Sequence, residues 1–210
     1  MVAVRRIRDA EESRRRVWGA AAAAFASRGY DGAKVDEIAA DAGINKAMLY
    51  YHFADKVTLY RAILQDMFAA VALATTQVRT TGGTPEQQLR GYVGALIRAA
   101  EERPHFPAIW LREIADDGRH IDEGIFAAMR SVLANLTGIL TDGVQAGVWR
   151  QVDPFLVQAG VAAPVMLVLA TRRVRQRAGI GTPDGSVDAL IDHVTTMTLA
   201  TLTLTGRSPA

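Results

Sequence analysis

The chain has 210 residues, half of them hydrophobic, 22% charged, and no cysteine. That length suits one domain or two small ones with a core that needs no staple, and the apolar fraction excludes intrinsic disorder. The missing cysteine excludes a disulfide scaffold, a cysteine-ligated zinc finger, a thiol catalyst and a thiol redox sensor, while a formal net charge of +2 permits a nucleic-acid partner without requiring one.

Met1 to Val4 are apolar, but Arg5, Arg6, Arg8 and Asp9 follow at once and leave no signal-peptide core. The longest apolar run, Phe155 to Thr171, spans 17 residues and is interrupted by Gln158 and Pro164. A membrane span needs about 20, so a buried or interface helix accounts for the run. The expectation is a soluble, cytoplasmic protein with no membrane partner.

In chain order, the first predicted helix covers Asp9 to Arg28, because Val17, Ala21, Ala24 and Phe25 recur at spacings of three and four. Gly29 stands where a left-handed C-cap is wanted. A short helix follows from Val35 to Ala42 with Val35, Ile38 and Ala39 inward, and Gly43 breaks it. Asn45 is a good N-cap for a third segment, Lys46 to Phe53, whose Leu49 and Phe53 share a face. Asp55 caps a longer helix, Lys56 to Arg79, carrying Leu59, Ile63, Met67, Phe68 and Val71.

Residues 80–85 read as a loop in which Thr84 caps and Pro85 starts the next helix, which runs to Glu102. A further helix covers Phe106 to Asp117 and ends at Gly118. Residues 121–146 are helical, with Ile125, Phe126, Met129, Val132, Leu133, Leu136, Leu140 and Val144 at helical spacings, and Gly147 ends them. Asp153 caps an apolar helix, Pro154 to Arg177, that Pro164 should bend. Asp184 opens a last helix to Leu204, its Thr-rich end the weakest in helix propensity, and Gly206 to Ala210 fray. The fold class is therefore all-α: three short helices in residues 1–55, then a larger helical body in residues 56–210.

Two short helices separated by Gly43, Ile44 and Asn45 form a helix-turn-helix. The glycine permits the tight turn, Ile44 plugs the angle, and Ala39 allows close approach. The second helix can then enter a major groove, with Leu49 and Phe53 inward and Lys46, Ala47, Tyr50 and Tyr51 on the other side.

Residues 25–56, FASRGYDGAKVDEIAADAGINKAMLYYHFADK, resemble the N-terminal domain of the TetR family of bacterial transcriptional regulators. The resemblance is carried by Phe25, Gly29-Tyr30, Val35, Ile38-Ala39, Ala42-Gly43-Ile44, Leu49-Tyr50, His52-Phe53 and Lys56. By motif it covers about the first 70 residues; beyond them it covers length and helical content.

The resemblance implies that Lys46, Ala47, Tyr50 and Tyr51 face the groove and that His52 and Lys56 contact phosphates. Tyrosine hydroxyls serve bases or phosphates equally well, so Tyr50 and Tyr51 are not sorted between these roles. Lys56 opens a helix whose N-terminus favours a phosphate. Two positions depart from the family. Lys34 stands where Thr or Ser is usual, losing a side-chain cap but adding charge near the DNA backbone. Met48 stands where Thr is frequent and offers apolar contact to a thymine methyl or packs inward. Both imply an altered operator preference.

The charge distribution agrees. All three lysines, Lys34, Lys46 and Lys56, fall in this part, and the first 16 residues hold six arginines (Arg5, Arg6, Arg8, Arg14, Arg15, Arg16) against three acidic residues. Such an arm can reach phosphates or a minor groove. Residues 1–60 carry ten basic and eight acidic side chains, and the remainder carries 14 of each.

Two helix-turn-helix units read a palindrome as a dimer. The family implies that the last two long helices, Pro154 to Arg177 and Asp184 to Leu204, pair with their mates. Small Ala159, Gly160, Ala162, Ala163 and Ala170 permit close contact, and Val161, Val165, Leu167, Val168 and Leu169 supply area. The family also implies an effector pocket in the body, for which Phe68, Ile97, Trp110, Ile114, Phe126, Met129 and Met166 are candidates. Their character predicts a small apolar or aromatic effector.

No cofactor or metal is expected: His52, His105, His120 and His193 show no ligand spacing, and the sequence has no G-x-S-x-G, P-loop or dinucleotide fingerprint. The expected function is a homodimeric, ligand-responsive repressor that binds a double-stranded DNA operator. A regulator that activates, or one without an effector, is the alternative. An all-helical enzyme or a protein-binding dimer is more remote.

Overall fold

The computed structural model describes residues 2–181 and 185–203, with side chains from Ala10 onward. The side chains of Arg5, Arg6 and Arg8, the expected cap Asp184, and the expected frayed end Gly206 to Ala210 lie outside the described residues. The described elements are ten helices: α1 (Val2–Gly32), α2 (Val35–Asp41), α3 (Lys46–His52), α4 (Lys56–Thr81), α5 (Pro85–Glu101), α6 (Phe106–Ala115), α7 (Glu123–Gln145), α8 (Pro154–Ala170), α9 (Arg172–Arg177) and α10 (Val187–Leu202). The all-α reading is correct.

Several boundaries differ from expectation for local reasons. The first helix begins at Val2, not Asp9, and no Gly or Pro interrupts it before Gly19. It is broken at Gly29 (φ 74°, ψ 178°), the position expected to end it. The helix expected to reach Arg177 runs through Pro164 but stops at Ala170. Thr171 leaves helical geometry (φ −88°, ψ 0°) and α9 restarts the chain. Asp122, whose carboxylate accepts the Ile125 N–H at 3.0 Å, caps α7 two residues after its expected start. Ser186 caps α10 by accepting the Ala189 N–H. The Thr-rich end of α10 leaves the helix at Thr203, which bridges to Trp149.

The chain divides into two compact units, residues 1–66 with 105–125, and residues 67–104 with 126–210. In the first, Val17, Ala21, Ala24 and Phe25 of α1 are buried with Ile38 and Ala39 of α2, Leu49 and Phe53 of the α3 segment, and Leu59 and Ile63 of α4. Each follows the predicted spacing. The addition is α6, which packs on α1.

In the second unit, α10 packs on α5 and α8, and α5 on α8. Thr84 and Gln87 form the full capping box at the start of α5. Met67 and Val71 of α4 and Val132, Leu136, Ile139 and Leu140 of α7 supply buried area, whereas Phe126 and Val144, at the same helical spacings, are exposed. Arg79 spans three helices, donating to Gln88 Oε1 at 2.6 Å and pairing with Asp142 at 2.5 Å. Its guanidinium lies against Gly138, where a Cβ would stand 3.1 Å from it. By length and composition, α4 and α7 are apolar enough to cross a membrane; the Asn135 amide of α7 donates to the buried Thr75 hydroxyl of α4 at 3.0 Å.

Candidate nucleic-acid interface

The turn between α2 and α3 forms as two interlocked caps. Gly43 adopts φ 66°, its N–H bonds to the Ala40 carbonyl, and the Ile44 N–H reaches back to the Ala39 carbonyl, both at 3.0 Å. This is the Schellman arrangement, and it satisfies the last carbonyls of α2. A side chain at Gly43 would be strained by the positive φ and would approach Arg16 to 3.3 Å. Two residues later Asn45 caps α3, its side-chain oxygen accepting the Met48 N–H at 2.8 Å.

Helix α3 is thereby fixed in rotation about its own axis. Leu49 is fully buried and Phe53 lies 6.3 Å from Trp18, centroid to centroid. The opposite face carries Met48 (42% exposed), Tyr50 (42%) and Tyr51 (78%), with Ala47 exposed between them. Of the two orientations open to Met48, the chain adopts the outward one.

The cations around this face are tethered. Lys46 Nζ lies 2.8 Å from Asp36 of α2, and that carboxylate holds the lysine pKa above its ordinary value. Lys34, at the N-cap of α2, makes no capping bond, as its lack of an acceptor requires, and lies 3.6 Å from Glu37. Lys56 rests over the Tyr30 ring, 4.4 Å from the centroid, and its Nζ is 3.4 Å from the Asp31 carbonyl. Beside it, Asp55 caps α4 by accepting the Thr58 N–H at 2.7 Å. That hydrogen bond holds the Asp55 carboxyl below the usual range. The N-terminus of α4 therefore already faces a carboxylate, which offsets the positive end of the helix dipole.

His52 is half-buried, with Nε2 2.7 Å from Ser13 Oγ of α1. Burial, and then the nearby Arg14 charge, push its pKa below the ordinary value. Sequence reasoning missed this pairing, since nothing in the spacing links residues 39 apart. Arg14 itself lies over the Phe53 ring at 5.5 Å. Arg14, Arg15 and Arg16 are exposed along α1.

The seven residues named for an effector fall in different places. Trp110 and Ile114 belong to the first unit, the other five to the second. Ile97 is fully buried and Met166 buried, Phe68, Trp110 and Met129 are half-buried, and Ile114 and Phe126 are exposed, which corrects the expectation that these two line an interior. A hollow of about 320 Å³ in the second unit is lined by Arg150, Asp153, Leu156, Val157, Met197 and Thr198, among others, and by none of the seven. Polar groups that the sequence reading passed over do reach the interior of this unit. The Tyr92 hydroxyl, its pKa raised by burial, meets the Gln158 amide and lies 3.3 Å from the Val132 carbonyl. Among the described residues, no group of three or more His, Asp or Glu side chains is placed to hold a metal ion.

A capped pair of short helices whose second member buries one face and exposes tyrosines on the other, carried on an all-helical chain, is a helix-turn-helix. Residues 19–63 match the family model described as bacterial regulatory proteins, tetR family. A tetR-family regulatory protein from Rhodococcus RHA1 superposes with a TM-score of 0.74 at 19% identity, over 92% of this chain and 98% of that one. The helix-turn-helix segment of the chain is that of the TetR family, and the fold of the whole chain is similar to that of its solved members. It is 27% identical over 142 residues to the HTH-type transcriptional repressor NicS of Pseudomonas putida, covering 68% of this chain and 66% of that protein. It is 39% identical over 87 residues to the HTH-type transcriptional activator FasR of Mycolicibacterium smegmatis, covering 41% and 40%. The chain thus spans just under two thirds of the first relative's length and less than half of the second's.

Proposed function

We propose that the protein is a homodimeric transcriptional regulator that binds a palindromic double-stranded DNA operator through α3, and that it acts as a repressor released by a small, largely apolar effector. The observation that carries this reading is the exposed face of α3: three large side chains, Met48, Tyr50 and Tyr51, stand out toward solvent on a helix locked by Leu49 and the two caps. Exposed apolar and aromatic groups on a rigid surface helix mark a contact surface, and their type suits thymine methyls, base edges and phosphates. Lys34, Lys46 and Lys56, with Ala47 and His52, complete the proposed DNA face, and residues 1–55 are its functional domain.

The dimer reading rests on α8. Its buried residues are Val157, Val161, Val165 and Met166, while Phe155, Leu156 and Leu167 are 60–67% exposed. Ala159, Gly160 and Ala163 are exposed too, leaving room for a second helix to approach. An apolar helix with both faces apolar and one uncovered is the signature of an interface between copies. The effector reading is supported by the apolar character of Phe68, Met129 and Met166, with Tyr92 and Gln158 as polar anchors. Release follows if the effector binds one of two conformations more tightly than the other. One relative is named a repressor and the other an activator, so an activator is the second reading for this chain. A cytoplasmic location follows from the proposed DNA partner.

The test is selection of the full chain against a random duplex library. The reading expects an enriched inverted repeat bound by a species of twice the monomer mass. Leu156→Glu should yield a monomer that loses the repeat but keeps its helical content. Enrichment of no sequence would contradict it.

A further inference from the structure

The first unit contains a buried carboxylate that the family motif does not mention. Glu113 of α6 is 1% exposed. A carboxylate at that depth persists only if its oxygens are hydrogen-bonded, and both are. Oε1 accepts the His120 backbone N–H at 2.7 Å. Oε2 accepts the Tyr60 hydroxyl at 2.9 Å and lies 3.0 Å from His120 Nδ1, which must carry its proton there to donate. One side chain thus ties α6, the segment after it and the second turn of α4 at a single point.

Tyr30 rests on that point. Its ring centroid is 4.0 Å from the His120 ring and 5.2 Å from the Tyr60 ring. The same ring carries the Lys56 ammonium at 4.4 Å and the Arg119 guanidinium at 5.9 Å. Arg119 in turn pairs with Asp31 at 2.5 Å, and Arg61 donates to the His120 carbonyl at 3.0 Å. Apolar packing alone would hold α6 to α4 without desolvating a charge. The hydrogen bonds add direction: they fix the plane of the His120 ring and hence the seat of Tyr30.

We propose that Glu113 is a positioning residue for DNA binding, holding His120 and Tyr60 so that Tyr30 presents the Lys56 ammonium in the orientation that meets a phosphate. This rests on the DNA-binding reading of α3 and the start of α4. Glu113 touches no DNA; it acts through three aromatic rings on one cation.

The experiment is a double-mutant cycle between Glu113 and Lys56, using a fluorescein-labelled duplex selected by the wild-type chain. Glu113→Gln keeps the volume but puts an amide NH2 among three donors. It should weaken binding about five- to tenfold and lower the slope of log affinity against log salt by about one phosphate contact. In a Lys56→Ala background the same change should cost less than about twofold, since coupled residues are not additive. Tyr30→Leu, which removes the ring and leaves Glu113 in place, should reproduce the loss if Glu113→Gln fails to fold. Equal losses with and without Lys56, or no loss in either, would overturn the proposal. If Lys56→Ala itself left binding unchanged, the DNA face would be wrong, and the proposal would fall with it.

Discussion

Lys46 of α3 and Asp36 of α2 are joined by a 2.8 Å ion pair across the helix-turn-helix. Both side chains are mostly exposed, so the pair is weak and open to exchange. A phosphate arriving at Lys46 must displace Asp36, whose own charge repels the DNA backbone. Asp36→Asn should therefore tighten binding to a selected duplex about two- to fivefold and steepen its salt dependence. A titration at two salt concentrations checks this. Unchanged affinity would mean that Lys46 stays on Asp36 in the complex.

His52 gives a pH prediction. Its pKa is depressed in the folded chain by burial and by Arg14. The unfolded chain therefore binds the proton first as pH falls. The stability contribution is fully present above the unfolded value of about 6.5 and is lost as pH drops from there through the folded value. Thermal melts should show a midpoint that declines over this window, and His52→Gln should flatten that part of the profile. The histidine is neutral at pH 7, so removing it should lower DNA affinity without changing the salt slope, unlike Lys56→Ala.

Gly143 gives a packing prediction. The Trp149 ring lies directly on it, and both the Val148 and Trp149 N–H groups bond to its carbonyl. A methyl group there would overlap the ring. Gly143→Ala should cost roughly 1–3 kcal/mol, the usual range for overpacking, whereas Gly160→Ala, with nothing within 4 Å of the added carbon, should cost far less. Urea unfolding of the two variants makes the comparison.

What was legible in the sequence follows periodicity and capping. Leu49 and Phe53, four apart, point inward; Gly43 takes the positive φ that the turn needs; Asn45, Asp55 and Thr84 cap as their chemistry dictates. These features are set by neighbours within a turn or two. What was not legible depends on residues far apart. Nothing near Glu113 reveals that Tyr60, 53 positions earlier, will donate to it, or that residues 105–125 join the first compact unit. The tether of Lys46 and the cushion beneath Lys56 were hidden for the same reason. The exposure of Phe126 and Val144 was not legible because helical spacing identifies a stripe but not its edges, and both fall on the exposed side of α7.

The central claim is that the exposed face of α3 and the start of α4 bind DNA while another surface makes the dimer. The most direct measurement is a gel shift of the Tyr50→Ala, Lys56→Ala double variant on a selected duplex, paired with sedimentation of the same sample. Each lost contact of this kind is worth about 1–3 kcal/mol. The account predicts no retarded complex at protein concentrations that shift the wild-type duplex completely, with the sedimenting species still a dimer. Retardation equal to that of the wild type would contradict it.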